Sequence, residues 1–202
     1  SEMCIRDRAY SKVNVPKEKL FLTPNGLDNS EYRFVDKPKY PDRSICIGKI
    51  EDRKKQYFLQ GIDSLWFAGN ISDNRFNQNK NYLGELPKSK IKTDLTEYGN
   101  LVLVSDGEVH PRVCTEALAA GLGVVISECG IANLDLDKEF ITVIPDSKIN
   151  DLEYIQTQTI RNRDFSIRNR HAIIDYARQF DWSNIIEKYY LPSIPVSYTH
   201  LT

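Results

Sequence analysis

The chain has 202 residues, of which 41% are hydrophobic, so it is long enough to bury one sizeable core and is not a disordered polypeptide. Its 27 basic and 28 acidic residues give a formal net charge of −1, which excludes the overall basic field of a dedicated nucleic-acid binder. The longest nearly uncharged stretch, residues 113–127, is shorter than the ~20 apolar residues that cross a bilayer. We therefore expect one soluble domain.

The four cysteines, Cys4, Cys46, Cys114 and Cys129, show no Cys-x-x-Cys spacing. Most of them lie in apolar or helical surroundings and not in a small, loop-rich framework, which favours thiols over disulfides. A reducing compartment, the cytoplasm, is the resulting prediction.

Neither end of the chain matches a periodic element. Residues 1–8 and 196–202 resemble translated sequencing-adapter sequence, as found at the edges of metagenomic gene fragments, and we exclude them from fold reasoning. The only methionine, Met3, lies in the first of these tails, which favours an internal fragment of a longer gene. An ordinary pair of mobile termini is the alternative. We expect one domain over residues 9–192, followed by a linker and tail over 193–202.

In chain order, short β-rich runs alternate with longer helical patterns. Strands are predicted over residues 19–23, 44–49, 64–68, 101–105, 123–127 and 140–144. Helices are predicted over residues 52–61, 88–98, 111–120 and 150–160. Most of the strand runs are continuously apolar, which indicates a parallel sheet covered by helices on both faces. The β-α-β-α order predicts an α/β fold, a doubly wound, Rossmann-like sheet of about six strands.

The last third of the chain is more polar. Aromatic-bearing helices are predicted over residues 164–180 and 182–190, and they form a C-terminal helical brace that begins near residue 161. The Asn-rich region 70–82 is predicted to be a surface loop. Ligands of doubly wound sheets bind at the carboxyl ends of the strands, so the residues that follow each strand are the candidates for a site.

Two glutamates flank the predicted turn between a strand and the next helix. Glu108 lies on the expected ligand-facing rim, and Pro111 suits the first turn of the helix. Glu116 shares a helical stripe with small apolar residues and is the only charge within residues 113–127. An unpaired buried carboxylate is unfavourable, so Glu116 should face a partner such as the two hydroxyls of a ribose. The alternative is a glutamate that reaches solvent or a lysine.

Cations follow the second predicted strand. Lys49 ends that strand, and Lys54 and Lys55 open the next helix, so these ammonium groups could hold a diphosphate at the same rim. A solvated basic face is the alternative. Free backbone N–H groups at the helix start near Arg112 and Val113 also favour a phosphate or sugar oxygen. Neither Gly-x-x-x-x-Gly-Lys nor Gly-x-Gly-x-x-Gly occurs, which weakens a kinase or a dinucleotide oxidoreductase.

Four short motifs become informative in combination. They are Pro24-Asn25-Gly26-Leu27-Asp28, Gly48-Lys49 followed by Lys54, Tyr82-Leu83-Gly84-Glu85-Leu86, and Glu108-x7-Glu116 followed by Ala117-Leu118-Ala119-Ala120-Gly121. Together they resemble the C-terminal domain of retaining glycosyltransferases of the family-4 kind, which have two facing Rossmann-like domains (the GT-B fold). The resemblance covers residues 18–192.

The resemblance implies a metal-independent hexosyltransferase with no cofactor besides its nucleoside-diphosphate-sugar donor, of which this chain is the donor-binding half and inactive alone. It assigns the ribose to Glu116, the donor sugar to Glu108, the catalytic residue, the diphosphate to Lys49 with Lys54 or Lys55, and the nucleobase to Gly84, Glu85 and Leu86. Beside Glu108, Val109 and His110 are further candidates for sugar contacts, and a surface histidine is the alternative for His110. The helix start at Arg112 and Val113 is a further candidate for the diphosphate.

Two departures from the family leave the sugar open. Val109-His110-Pro111 stands where Gly-Phe-Gly is common, and Lys49 replaces the commoner arginine. The acceptor, whether glycan, lipid or protein, would be held by an N-terminal domain, which also leaves peripheral membrane association open. No nucleic-acid partner is expected. The alternatives are a nucleotide-sugar-binding module, an inactive homologue and a nucleotide-sugar epimerase of the same architecture.

Overall fold

The computed structural model describes residues 24–108 and 111–193. Five parallel strands form one sheet in the order β2-β1-β3-β4-β5. Their bounds are β1 (Tyr40–Ile47), β2 (Leu65–Ala68), β3 (Tyr98–Leu103), β4 (Gly123–Ser127) and β5 (Ile141–Ile144). The chain passes from β1 to one side of the sheet and then crosses to β3 on the other, which confirms the doubly wound α/β prediction. The first predicted strand, residues 19–23, lies outside the described residues.

Helices connect the strands. They are α1 (Gln56–Leu59), α2 (Lys88–Asp94), α3 (Arg112–Ala119), α4 (Leu152–Arg168), α5 (Arg170–Ala177) and α6 (Trp182–Ile185), the last continued by a π-helical turn, Ile186–Tyr190. Short 3-10 turns lie at Asn29–Glu31, Asp52–Lys54, Leu95–Glu97, Glu128–Gly130, Asp146–Lys148, Arg178–Phe180 and Leu191–Ser193. Within residues 24–108 and 111–193, no helix is long and apolar enough to cross a membrane.

The sheet is buried on both faces, as the continuous apolar runs predict. Every residue of β3 and β4 is buried. Leu101 and Leu103 belong to one hydrophobic cluster, with Ala117 of α3. Val102 belongs to a second cluster on the opposite face, with Ile155 of α4. Successive strand residues thus point into two cores, which is why these strands show no alternation of polar and apolar residues.

A buried arginine fastens the C-terminal helices to the sheet. Arg170, the first residue of α5, is only 2% exposed. Its guanidinium donates hydrogen bonds to the carbonyls of Val35, Tyr98, Thr96 and Ala120 at 2.9, 3.2, 2.7 and 3.3 Å. Burial lowers the pKa of Arg170 to about 10, which still leaves it charged at neutral pH. The brace is therefore held by charge-assisted hydrogen bonds to main-chain oxygens.

Two helix predictions need correction. The helix predicted over residues 52–61 is a 3-10 turn followed by the short α1, because Lys55 between them has a left-handed backbone with φ 50°. A left-handed residue cannot continue a right-handed helix. The helix predicted to end at residue 160 continues to Arg168, and its break from α5 lies at Asn169.

Candidate functional site

The carboxyl ends of β1 and β2 meet at two glycines. Gly48 and Gly69 follow these strands with φ of 145° and 148°. A Cβ atom on Gly69 would lie 2.0 Å from the carbonyl oxygen of Gly48, so a side chain cannot fit between the two strand ends. Next to them, across the topological switch point between β1 and β3, lies the turn that carries Glu108. Doubly wound sheets bind ligands at this point.

Glu108 is held by two cations from the segment that follows β1. Its side chain is 15% exposed, and its Oε1 lies 3.0 Å from Nη1 of Arg53 and 3.7 Å from Nζ of Lys54. The same two cations contact Oε1 of Glu51 at 2.8 and 3.9 Å. The structure therefore brings Lys54 and Glu108 together. It also adds Arg53, which carried no sequence signal of a functional role.

The contacts separate Lys54 from Lys55. Lys55 Nζ is bound by Asp106 Oδ2 at 3.0 Å and by Asn150 Oδ1 at 3.2 Å. Lys54 Nζ instead lies above the end of β1, where it would be 3.0 Å from a Cβ on Gly48. Of the two lysines, Lys54 is the one whose ammonium is directed to the strand end.

Residues after β4 support the Glu108 turn from the other side. The Ser127 hydroxyl donates to the Ser105 carbonyl at 2.8 Å and accepts from the Ser105 N–H at 3.1 Å. The thiol of Cys129 donates to the same carbonyl at 3.1 Å. Gly107 N–H donates to the Ser105 hydroxyl at 3.2 Å. These hydrogen bonds fix the backbone from which Glu108 projects.

Glu116 lines a cavity of about 350 Å³, which we call the Glu116 cavity. Arg112, Tyr32 and Trp182 line it too. Burial, the charge of Glu116 and a hydrogen bond to that carboxylate raise the pKa of the Tyr32 phenol. Glu116 thus faces an O–H donor across the cavity and not the hydrocarbon core.

The Pro24–Asp28 motif forms part of the same wall. Leu27 pairs with the segment before α6: its N–H donates to the Phe180 carbonyl at 2.9 Å, and its carbonyl accepts from the Trp182 N–H at 3.0 Å. A Cβ on Gly26 would lie 2.5 Å from the Trp182 ring. The glycine of the motif therefore lets the Trp182 ring lie flat beside the cavity.

A second cavity, of about 410 Å³, lies over the ends of β1 and β2, and we call it the Lys49 cavity. Lys49, Glu85 and Leu86 line it, and Lys49 is exposed. Ile91 of α2 lines both cavities, so they share a wall. Gly84, with φ 80°, joins this cavity to the sheet, since its carbonyl accepts the Gly69 N–H at 2.9 Å.

The charges around the site affect the pKa values of two buried thiols. Burial raises the pKa of the Cys46 thiol to about 12, against the lowering effect of the nearby Lys54 charge. Burial, followed by the charge of Glu108, the neighbouring Cys46 and the charge of Glu116, raises the pKa of the Cys114 thiol. The charges of Glu108 and Glu116 therefore both act on the Cys114 thiol, although the two glutamates lie in different parts of the site.

The other predicted residues are placed as follows. Arg112 is exposed at the start of α3, and Val113 behind it is partly buried against the core. Val109 and His110 lie outside the described residues. A larger cavity, of about 530 Å³, lies between Pro24 and the C-terminal helices, and no predicted site residue lines it. Within the described ranges, no three His, Cys, Asp or Glu side chains are grouped so as to hold a metal ion.

Known proteins resemble this chain in fold and not in sequence. No protein-family model matches it, and no curated protein matches it. Among solved structures, it superimposes on Anabaena HepE in complex with UDP-glucose with a TM-score of 0.69 and 15% identity, over 93% of this chain and 61% of that one. WaaG, a glycosyltransferase involved in lipopolysaccharide biosynthesis, matches with a TM-score of 0.62 and 14% identity, over 92% and 61%.

A third match is the lipopolysaccharide outer core galactosyltransferase WaaB, with a TM-score of 0.64 and 12% identity, over 89% of this chain and 57% of that one. The chain spans 57% to 61% of the length of these three proteins. At such identities the likeness shows the fold: a Rossmann-like α/β domain of the kind found in these GT-B glycosyltransferases.

Proposed function

We propose that this chain is the donor-binding half of a retaining glycosyltransferase of the family-4 kind, which transfers a hexose from a nucleoside diphosphate to an acceptor held elsewhere. One observation carries the proposal. The carboxyl ends of β1 and β3 bring Lys54 within 3.7 Å of Glu108 at the switch point, and Glu116 lines a cavity that shares Ile91 with the cavity over the ends of β1 and β2. A diphosphate requires cations such as Lys54. The hydroxyls of a sugar and of a ribose require acceptors, which the Glu108 and Glu116 carboxylates provide.

The proposed roles follow from position. Glu116 accepts both ribose hydroxyls, because a carboxylate offers two acceptor oxygens to a vicinal diol. Lys49 and Lys54 neutralise the diphosphate, which becomes the leaving group. Glu108 contacts the donor sugar. Glu85 and Leu86, which follow Gly84, line the nucleobase end of the Lys49 cavity.

The fold comparisons support the substrate class. HepE is described with UDP-glucose and WaaB as a galactosyltransferase, so a uridine-diphosphate hexose is the first donor to test. The lysines supply the positive charge that a divalent cation would otherwise bring, which supports transfer without a metal. The free Cys46 and Cys114 thiols support a cytoplasmic setting.

A nucleotide-sugar-binding module without catalysis is the second candidate. The observation that favours it is the pairing of Glu108 with Arg53 and Lys54, which leaves the carboxylate occupied by cations of its own chain. In that case Glu108 would stabilise the turn and contribute nothing to sugar transfer.

Calorimetry with UDP and GDP tests the binding half of the proposal. We expect weak binding by the unmodified chain and none detectable for Glu116→Ala. Glu153→Ala, which removes an exposed helix glutamate of α4, is the matched control and should bind normally. Undiminished binding by Glu116→Ala would remove the ribose assignment.

Turnover separates the enzyme from the binding module. In a protein that carries this domain together with an acceptor domain, Glu108→Gln should slow sugar transfer while UDP affinity changes little. An unchanged turnover rate would favour the module.

A further inference from the structure

Two cations, Arg53 and Lys54, contact the same two carboxylates at the rim, and their contact distances differ. Arg53 holds Oε1 of Glu108 through Nη1 at 3.0 Å and Oε1 of Glu51 through Nη2 at 2.8 Å. Lys54 lies near the same two oxygens, but at 3.7 and 3.9 Å. The guanidinium therefore makes the short contacts to both carboxylates, and the ammonium only the long ones.

Arg53 also holds the turn that carries Glu108. Its Nη1 contacts the carbonyl of Gly107 and lies 3.5 Å from the Ser105 hydroxyl. Its own carbonyl accepts the Asp106 N–H at 2.8 Å. A planar guanidinium presents five N–H donors in a fixed fork, so it can serve several acceptors from one position.

The result is that Lys54 keeps its hydrogen-bonding capacity. Its side chain is only 13% exposed, and within the described part of the chain its ammonium makes no hydrogen bond. It lies above Gly48 at the end of β1, where a Cβ atom on that glycine would be 3.0 Å from the Lys54 Nζ.

We propose that Arg53 is a positioning residue: it occupies the Glu51 and Glu108 carboxylates so that the Lys54 ammonium stays available to the diphosphate. This inference rests on the proposed function. Without Arg53, Lys54 is the nearest cation to Glu108, and a movement of less than an ångström would bring it into a hydrogen-bonded ion pair. The lysine would then have to leave a carboxylate before it could bind a phosphate.

The test is a set of variants titrated with UDP and with inorganic pyrophosphate. Arg53→Met should bind both ligands about tenfold more weakly, the loss expected for one charge-assisted hydrogen bond. Adding Glu51→Gln and Glu108→Gln together should restore the affinity, because neutral amides no longer capture Lys54. The affinity of Arg53→Lys should fall between those of the unmodified chain and Arg53→Met, since an ammonium keeps the charge but lacks the planar fork of the guanidinium. Arg178→Met, an exposed arginine far along the chain, is the control and should bind normally.

If Arg53 only supports the fold, or contacts the ligand directly, the variants should show a different pattern of affinities. If Arg53→Met loses affinity and the added Glu51→Gln and Glu108→Gln do not restore it, Arg53 contacts the phosphates itself and the positioning role is wrong. If Arg53→Met binds normally, the inference also fails. Thermal melting of each variant shows whether a loss of affinity is a loss of folding.

A measurement without ligand separates this inference from the proposed function. Acylation of Lys54 by a small reagent, followed by peptide mass spectrometry, should slow in Arg53→Met and recover when Glu51→Gln and Glu108→Gln are added, because an ion-paired amine is a poorer nucleophile. If the unmodified chain binds neither ligand, the proposed function fails, and the acylation rates still decide whether Arg53 keeps Lys54 free. Equal rates in all variants would overturn the inference.

Discussion

Tyr32→Phe tests whether the Tyr32 hydroxyl competes with a ligand for the Glu116 carboxylate. Tyr32 and Glu116 line the same cavity, and, besides burial, the Glu116 carboxylate, by its charge and as a hydrogen-bond acceptor, raises the pKa of the phenol. A ribose diol that binds Glu116 must replace this hydrogen bond. Phenylalanine keeps the ring that packs against the core and removes only the competing hydroxyl.

The magnitude follows from the strength of that hydrogen bond. A hydrogen bond to a charged group contributes about 1.5–3 kcal/mol, and partial exposure of both side chains places this one at the lower end. We therefore expect Tyr32→Phe to bind UDP about tenfold more tightly in calorimetry. Tyr40→Phe, which changes a partly buried tyrosine of β1, is the matched control. Weaker or unchanged binding by Tyr32→Phe would refute the competition.

The same contact predicts a pH dependence. The pKa of Tyr32 is raised above its ordinary value of 10.0, so the folded state retains a proton that the unfolded state releases. Its contribution to stability is complete below pH 10 and is lost as the pH rises further. In Glu116→Ala, ultraviolet titration should show one tyrosine that ionises at lower pH than in the unmodified chain. An unchanged titration curve would mean that Glu116 does not act on Tyr32.

Three further changes test the fold and the site. Gly69→Ala should lower the free energy of unfolding by about 3 kcal/mol or more in urea denaturation, because its Cβ meets the Gly48 carbonyl, whereas Gly107→Ala has open space and should be nearly neutral. Arg170→Met should cost about 3–5 kcal/mol, since it leaves buried carbonyls without donors, and an unchanged denaturation midpoint would contradict this. Lys49→Glu should weaken UDP binding but not uridine binding, and equal losses would argue against a diphosphate contact.

Much of the fold was predictable because the sheet buries both faces. The strand over residues 123–127 has the predicted bounds, and the other described strands fall within a few residues of theirs. The continuous apolar runs carry this information locally. The break at Lys55 is different, since a lysine gives no sign that it will adopt φ 50°. The Lys55 side chain also contacts Asp106 and Asn150, which are far away in sequence and could not be paired with it from local pattern.

The candidate site likewise contains residues that the sequence predicted and residues that it did not. The sequence placed Glu108, Lys49 and Lys54 at strand ends, because a parallel sheet gathers its carboxyl ends at one edge. It gave no sign of Arg53 or Tyr32, whose partners Glu108 and Glu116 are far away along the chain. Pairings between exposed charged or polar side chains follow no periodicity, so only the assembled fold reveals them.

Residues 81–84 pair with the outer side of β2, which affects how the protein behaves in concentrated solution. Phe67 of β2 donates its N–H to the Asn81 carbonyl and accepts from the Leu83 N–H, and Gly69 donates to Gly84. Main-chain groups on the outer side of β2 are thus already paired within the chain, and a second molecule cannot add a strand there without displacing them. Substitutions that loosen residues 81–84 should therefore first appear as concentration-dependent aggregation, before any change in nucleotide affinity is measured.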